Sequence, residues 1–277
     1  MRPSRYVKLL WLTLLFSLSA PLAWAAPQPE SGYSFPRDAS VHGHRIDWLI
    51  EITMVFCIIL FVIMCIWMAL AVFKHGEDHE AEYDHGDTKH SMYVAFSLSA
   101  IIFLIVDGNL FYWAVKDLNE AFWAFDDAYA AENHLKVEIN AHQWAWDFRY
   151  AGPDDVFNTA DDIVTLNDFR VPVDTPVIVQ IASTDVLHSF ALPNFRVKMD
   201  AVPGSITQLW FQAKRTGDYD ISCAQHCGTN HYKMKGQISV LTQEDYDAWF
   251  RHATRVSELA YDPEDESAHW GWTWEKL

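Results

Sequence analysis

Two cysteines, a histidine and a methionine crowd into the short stretch Cys223-Ala-Gln-His-Cys227-Gly-Thr-Asn-His231-Tyr-Lys-Met234, and Val-Leu-His188-Ser-Phe answers them from upstream. Thiolate, neutral imidazole and thioether are the soft donors that select copper for electron transfer. One cysteine with two histidines and a distant methionine suffices for a single copper. A second cysteine lets both sulfurs bridge two copper ions, each keeping one histidine, His188 or His231, as its terminal ligand. Met234 then serves one copper as a weak axial ligand. The main-chain carbonyl of Gln225, between the cysteines, serves the other. Two other readings stay open for the cysteines: a disulfide in an oxidising compartment, or a Cys2His2 zinc site. Neither uses Met234, the distant His188 or the strand pattern on either side. His226 is a spare imidazole, expected to face solvent or a partner surface.

The elements that must position these residues are unevenly composed. The chain has 277 residues, a net charge of −17 and 51% hydrophobic residues, spread too unevenly for one soluble globule. Arg2, Arg5 and Lys8 precede an apolar stretch from Leu9 to about Leu22 and the small-x-small triplet Ala23-Trp24-Ala25. This pattern predicts a secretory signal peptide, residues 1–25. The runs 48–73 and 92–115 are each long enough to cross a hydrocarbon core of roughly 30 Å as helices. Tryptophan and tyrosine near their ends (Trp48, Trp67, Tyr93, Tyr112, Trp113) suit the headgroup level. With the N-terminus exported, two crossings leave the C-terminal region outside. The connecting loop from Lys74 to Ser91 opposes this orientation with two lysines against six carboxylates. Acidic residues count little in the positive-inside rule, and an export signal dominates it. His75, His79, His85 and His90 in that loop are read as part of a solvated connector. Asp107, inside the second span, is expected to meet a polar group on a partner helix.

After a polar linker (117–133) the pattern becomes strand-like. Residues 136–150, 176–182, 205–213, 217–222 and 235–241 are rich in β-branched and aromatic residues and are separated by Gly, Pro and Asp turns. That indicates an all-β sandwich or barrel with the metal loop between its last two strands. Thr242 caps a following helix, with Glu244 and Asp245 in its first turn. Trp270, Trp272 and Trp274 beyond it are expected to pack on a partner subunit or the membrane surface, or to hang loose.

The loop resembles that of cytochrome c oxidase subunit II, Cys-x-Glu-x-Cys-x-x-x-His-x-x-Met, at every position except the glutamate, here Gln225. The segment Val186-Leu-His188-Ser-Phe-Ala-Leu-Pro-Asn-Phe-Arg-Val-Lys-Met-Asp200-Ala-Val-Pro-Gly204 also resembles the family around its first histidine ligand. The resemblance implies a two-helix transmembrane hairpin followed by a cupredoxin-like Greek-key sandwich. The parts would be 1–25 signal peptide, 26–133 N-terminal segment, helices and linker, 134–245 extracytoplasmic copper domain, and 246–277 C-terminal helix and tail. It implies a binuclear copper (CuA) centre on His188, Cys223, Gln225, Cys227, His231 and Met234. Electrons would arrive from cytochrome c at Trp144 and pass to haem in subunit I, where oxygen is reduced with proton translocation. Other oxidase subunits and membrane lipid are the further partners, a bacterial inner membrane is the location, and no nucleic acid is expected. A subunit of a nitric oxide reductase would share the loop, and a membrane-anchored copper carrier is the reading from another class. Gln225 replaces the carboxylate that the family offers to magnesium, so magnesium is not expected. From His134 onward 21 acidic residues stand against 12 basic ones, a surface that steers a basic partner. Asp154, Asp155, Asp161 and Asp162 are its densest cluster.

Overall fold

The computed structural model describes residues 35–76, 79–80, 83, 85–264 and 270–274. The expected signal peptide, 1–25, lies outside the described residues. Helix α1 (Gly43–Lys74) is longer than a bilayer core needs, about 48 Å at 1.5 Å per residue. It starts ahead of the apolar run because its first turn belongs to the extramembrane structure. The second crossing comprises α2 (Lys89–Ile102), a π-helical turn Phe103–Asp107, and α3 (Gly108–Asp117). A second π turn, Leu118–Phe122, follows before the short α4 (Phe125–Ala130). Thr88 starts α2 as an N-cap, its hydroxyl accepting from the Ser91 N–H at 3.1 Å. Both crossings pass the length and composition needed for a membrane span.

The outer ends of the helices are clamped to each other and to the domain beyond. Trp48 and Trp113 meet edge to face at 5.2 Å. Arg45 donates to Asp117 at 2.8 Å and to Glu120 at 2.7 Å. Asp47 accepts from Arg196 at 2.6 Å, joining α1 to the β domain. The Asp117 carboxylate is buried, so its guanidinium partner is a requirement rather than an ornament.

Among the described residues, ten strands form two five-stranded sheets packed face to face. One sheet runs β3 (Ile163–Leu166), β2 (Ala145–Tyr150), β1 (Leu135–His142), β5 (Pro176–Ser183), β8 (Thr207–Gln212). The other runs β4 (Asp168–Pro172), β10 (Lys235–Leu241), β9 (Gly217–Cys223), β6 (His188–Leu192), β7 (Val197–Ala201). Parallel pairs β1–β5 and β4–β10 sit among antiparallel neighbours. The segment 136–150, which reads as one alternating run, is a hairpin. The chain reverses at Gln143-Trp144, and Ala141 faces Trp146 across the ladder. Strands β3, β4, β6 and β7 are short and carry weak periodicity, so the sequence pattern alone passes over them.

Side-chain alternation fills the space between the sheets. Val137 and Ile139 of β1, Trp146, Phe148 and Tyr150 of β2, and Val177, Val179 and Ile181 of β5 all point inward. Phe148 stacks on Phe169 at 4.7 Å, and Phe190 meets Trp146 at 5.4 Å edge to face, welding the two sheets. The opposite face of the first sheet is covered as well. Ala128 of α4 packs on Ile178 and Trp210 there, and Trp274 joins them.

The Trp-rich tail therefore lies on its own domain. The Trp270 ring covers the Arg149 guanidinium at 4.0 Å, and its carbonyl accepts from Arg149 Nη1. Trp272 Nε1 donates to Gln180 Oε1 at 2.7 Å, and Trp274 stacks on Phe157. The physical reason is the polar layer beneath. Glu138, Arg149 and Gln180 project from the sheet and need a cover that can also hydrogen-bond. Between sandwich and tail runs α5 (Gln243–Ala260), capped by Thr242, whose hydroxyl accepts from the Asp245 N–H at 3.2 Å.

Candidate metal centre

Each ligand type sits at the end of an element. His188 is the first residue of β6, Cys223 the last of β9, and Met234 immediately precedes β10. His231 opens a single 3-10 turn, His231–Lys233. Adjacent strands thus fix both ends of the loop. Ladder-like bonds continue into it, from Ala224 N–H to Ser189 O at 2.9 Å and from Cys223 N–H to Met234 O at 3.3 Å. Its middle depends on Gly228, at φ 121°. A Cβ there would also lie 2.9 Å from Gln143 Nε2 and 3.3 Å from the Trp144 ring.

These anchors converge the donor atoms. His188 and both cysteines bring one donor atom each within 4.8 Å of one another. The two sulfurs stand 3.8 Å apart as free thiols, far beyond the S–S bond of about 2.05 Å. Cys227 Sγ is 3.6 Å from His231 Nδ1 and 3.6 Å from Met234 Sδ. His188 Nδ1 is 3.1 Å from Met234 Sδ, and Cys223 Sγ is 3.1 Å from the Gln225 carbonyl oxygen. All six residues singled out by type and spacing are therefore brought together. The gap between the sulfurs suits a soft cation between them, and burial agrees. Desolvation, then the neighbouring Cys223 thiol, pushes the Cys227 thiol up to about 12, so only a metal ion would hold it as thiolate.

Two supporting residues escape sequence reasoning. Asp185 accepts from His188 Nε2 at 2.8 Å, from the Val186 N–H at 2.6 Å and from the Gln143 N–H at 2.6 Å. Partial burial works to raise the Asp185 pKa. The His188 bond and the two backbone donors outweigh it and hold the carboxyl below its ordinary value. Its hold on Nε2 leaves His188 Nδ1 turned to the cluster. Gln143 is the other, its Nε2 donating to the Cys227 carbonyl at 2.7 Å. A carboxylate three residues before a ligating histidine was the available signal for Asp185. Gln143 carried none.

The Trp144 ring is half-buried and donates from Nε1 to that same Cys227 carbonyl at 3.3 Å. Trp146 is wholly buried behind His188, with ring centroids 6.1 Å apart. The acidic cluster divides. Asp154 and Asp155 face solvent, whereas Asp162 turns inward to within 3.5 Å of Arg149.

Residues 135–241 match the family model described as cytochrome c oxidase subunit II, periplasmic domain. The chain is 30% identical over 272 residues to the alternative cytochrome c oxidase subunit 2 of Bradyrhizobium diazoefficiens, covering 90% of each sequence. It belongs to the cytochrome c oxidase subunit II family. Cytochrome c oxidase subunit 2 of Cereibacter sphaeroides is 26% identical over 260 residues, covering 82% of each chain. The solved periplasmic domain of cytochrome oxidase subunit II from Bradyrhizobium japonicum aligns at TM-score 0.41 and 29% identity, covering 46% of this chain and 97% of that one. As a subunit II, the protein is a membrane-anchored component of a cytochrome c oxidase, an oxidoreductase, and its cupredoxin-like sandwich carries a His/Cys cluster whose donors suit copper. It works beside the other subunits of that oxidase.

Proposed function

We propose that the cluster is a binuclear CuA centre through which this subunit takes electrons from cytochrome c and passes them to haem in subunit I. The observation that carries the reading is the pair of unbonded sulfurs 3.8 Å apart, flanked by two imidazoles, a thioether and a carbonyl oxygen. Copper held by the Cys223 and Cys227 thiolates would supply one-electron transfer, taking up and releasing electrons singly. Cys223 and Cys227 would bridge. His188 and His231 would each terminate one metal, with Met234 and the Gln225 carbonyl as weak outer ligands. A site suspended between hydrogen-bonded strand ends moves little between redox states, which keeps the reorganisation of each transfer small.

Trp144 is the proposed entrance. Its ring spans from the domain surface to the Cys227 carbonyl, a bonded step from a bridging cysteine. A basic cytochrome c would be steered by the exposed part of the domain's acidic surface, including Asp154 and Asp155. The domain would stand outside a bacterial inner membrane, anchored in lipid by the two helices after removal of residues 1–25. Asp107 lies exposed in the π turn of the second helix, where a carboxylate would face a partner subunit.

Electron paramagnetic resonance of the copper-loaded full chain in detergent, with metal analysis alongside, tests the centre. One unpaired electron coupled to two copper nuclei, at two coppers per chain, is expected. A single-copper signal, or zinc with no signal, would overturn it.

A further inference from the structure

The six proposed ligands are not equally reachable. His188, Met234 and Cys227 are buried, and Trp146 closes the space behind His188. Cys223 and His231 are half-buried, and Gln225 is exposed. The cluster is therefore shut on its His188/Met234 side and open on its Cys223/His231 side. A metal ion entering the folded domain meets that open edge first.

One further soft donor stands on the same edge. His226 is exposed, and its ring centroid lies 5.5 Å from that of His231, the two planes tilted by 40°. The cluster does not need it, since His188 and His231 already supply one imidazole to each metal. Nor does the fold, since the side chain adds nothing to the core. What its position suits is a transient ligand. A copper(I) ion held by His226 and His231 would exchange its outer ligands for the Cys223 sulfur and then pass inward to Cys227, Met234 and His188.

We infer that His226 is the entry ligand of the copper centre, receiving copper(I) from a donor complex and handing it to His231 and Cys223. The inference rests on the binuclear reading of the site. The step is ligand exchange without change of oxidation state. Copper(I) leaves the donor's ligands, and each cysteine thiol that binds releases its proton to water.

The test uses the copper-free, thiol-reduced full chain in detergent, mixed without oxygen with the coloured copper(I)–bicinchoninate complex. Fading of the colour gives the transfer rate, and its final extent gives copper per chain. H226A should slow transfer about tenfold, the scale on which a residue beside a metal site changes its binding, and should still take up two coppers. H252A, which removes another exposed histidine, on α5, should transfer at the wild-type rate. Equal rates for H226A and wild type would overturn the inference, as would equal slowing by H252A. A lower copper count in H226A would also overturn it, making His226 a permanent ligand. If wild type itself takes up one copper, the binuclear reading fails separately, and the rate ratio still judges the entry role.

Discussion

Replacing Asp185 with alanine should loosen copper without disturbing the sandwich. Asp185 Oδ1 accepts the Nε2–H of His188, a histidine with no solvent access of its own. Truncation leaves that donor buried and unpaired, which costs about 1–3 kcal/mol of stability in the copper-free chain. A second effect falls on the metal. With no acceptor at Nε2, the ring is no longer held with Nδ1 toward the cluster. Loss of such a partner lowers metal affinity by about 10–100-fold, or about 1.4–2.7 kcal/mol at 1.36 kcal/mol per decade. The two costs are of similar size but are read separately, the first by chemical denaturation of the copper-free chain, the second by competition for copper(I) against bicinchoninate.

An asparagine at 185 sharpens the test. Its carbonyl oxygen can take the place of Oδ1 and still accept from His188 and Val186. Its NH2 then confronts the Gln143 N–H that Oδ2 accepts at 2.6 Å. D185N should therefore keep most of the copper affinity and lose mainly the tie to Gln143. If D185A holds copper as tightly as wild type, the carboxylate does not orient His188. If D185N is as weak as D185A, the bond that matters is the one to Gln143.

Three further outcomes follow from the geometry. Burial raises Glu138 from its ordinary 4.5 to about 7, with Arg149 opposing and Asp162 adding to the rise. The folded chain thus keeps a proton that the unfolded chain loses, so stability falls by about 3 kcal/mol as pH rises from about 4.5 to 7 and is flat above. E138Q should remove that slope from a denaturation series, and parallel curves for the two proteins would refute it. G228A forces φ 121° on a residue with a Cβ and crowds Gln143 and Trp144. It should cost about 1–3 kcal/mol, measured by denaturation, and reduce copper retention on gel filtration. W144F loses a hydrogen bond worth about 1 kcal/mol and should leave copper content unchanged while slowing electron uptake from reduced cytochrome c in stopped flow. Unchanged uptake would remove Trp144 as the entrance.

How much of this was legible beforehand depends on range. The ligand loop declares itself because five of the six donors lie within one stretch of chain and bind through side-chain type or a backbone carbonyl. The crossings declare themselves because a bilayer demands long apolar runs. What stayed hidden is non-local. Gln143 reaches Cys227 across 84 positions, and the Trp272 ring reaches Gln180 across 92. No spacing rule encodes such pairs. The tail was misplaced for a related reason. Three tryptophans after a helix read as an outward-facing patch, because the layer they cover (Glu138, Arg149, Gln180) is polar and looks like a solvent face in the strand pattern. Only the three-dimensional face shows that those side chains are buried and need the indole N–H and main-chain partners that the tail brings.

The same reasoning explains how the loop tolerates its one departure from the family pattern. Gln225 is proposed to bind through its carbonyl, which every residue possesses, and its side chain is exposed. The exchange of glutamate for glutamine therefore changes the surface beside the centre and leaves the donor set intact. His226 is exposed on the edge where copper is inferred to enter. Gln225 and His226 both lie on the exposed side, and neither is among the buried His188, Cys227 and Met234. That division is what a site with two demands requires: a buried half that holds geometry fixed for electron transfer, and an accessible half where metal enters.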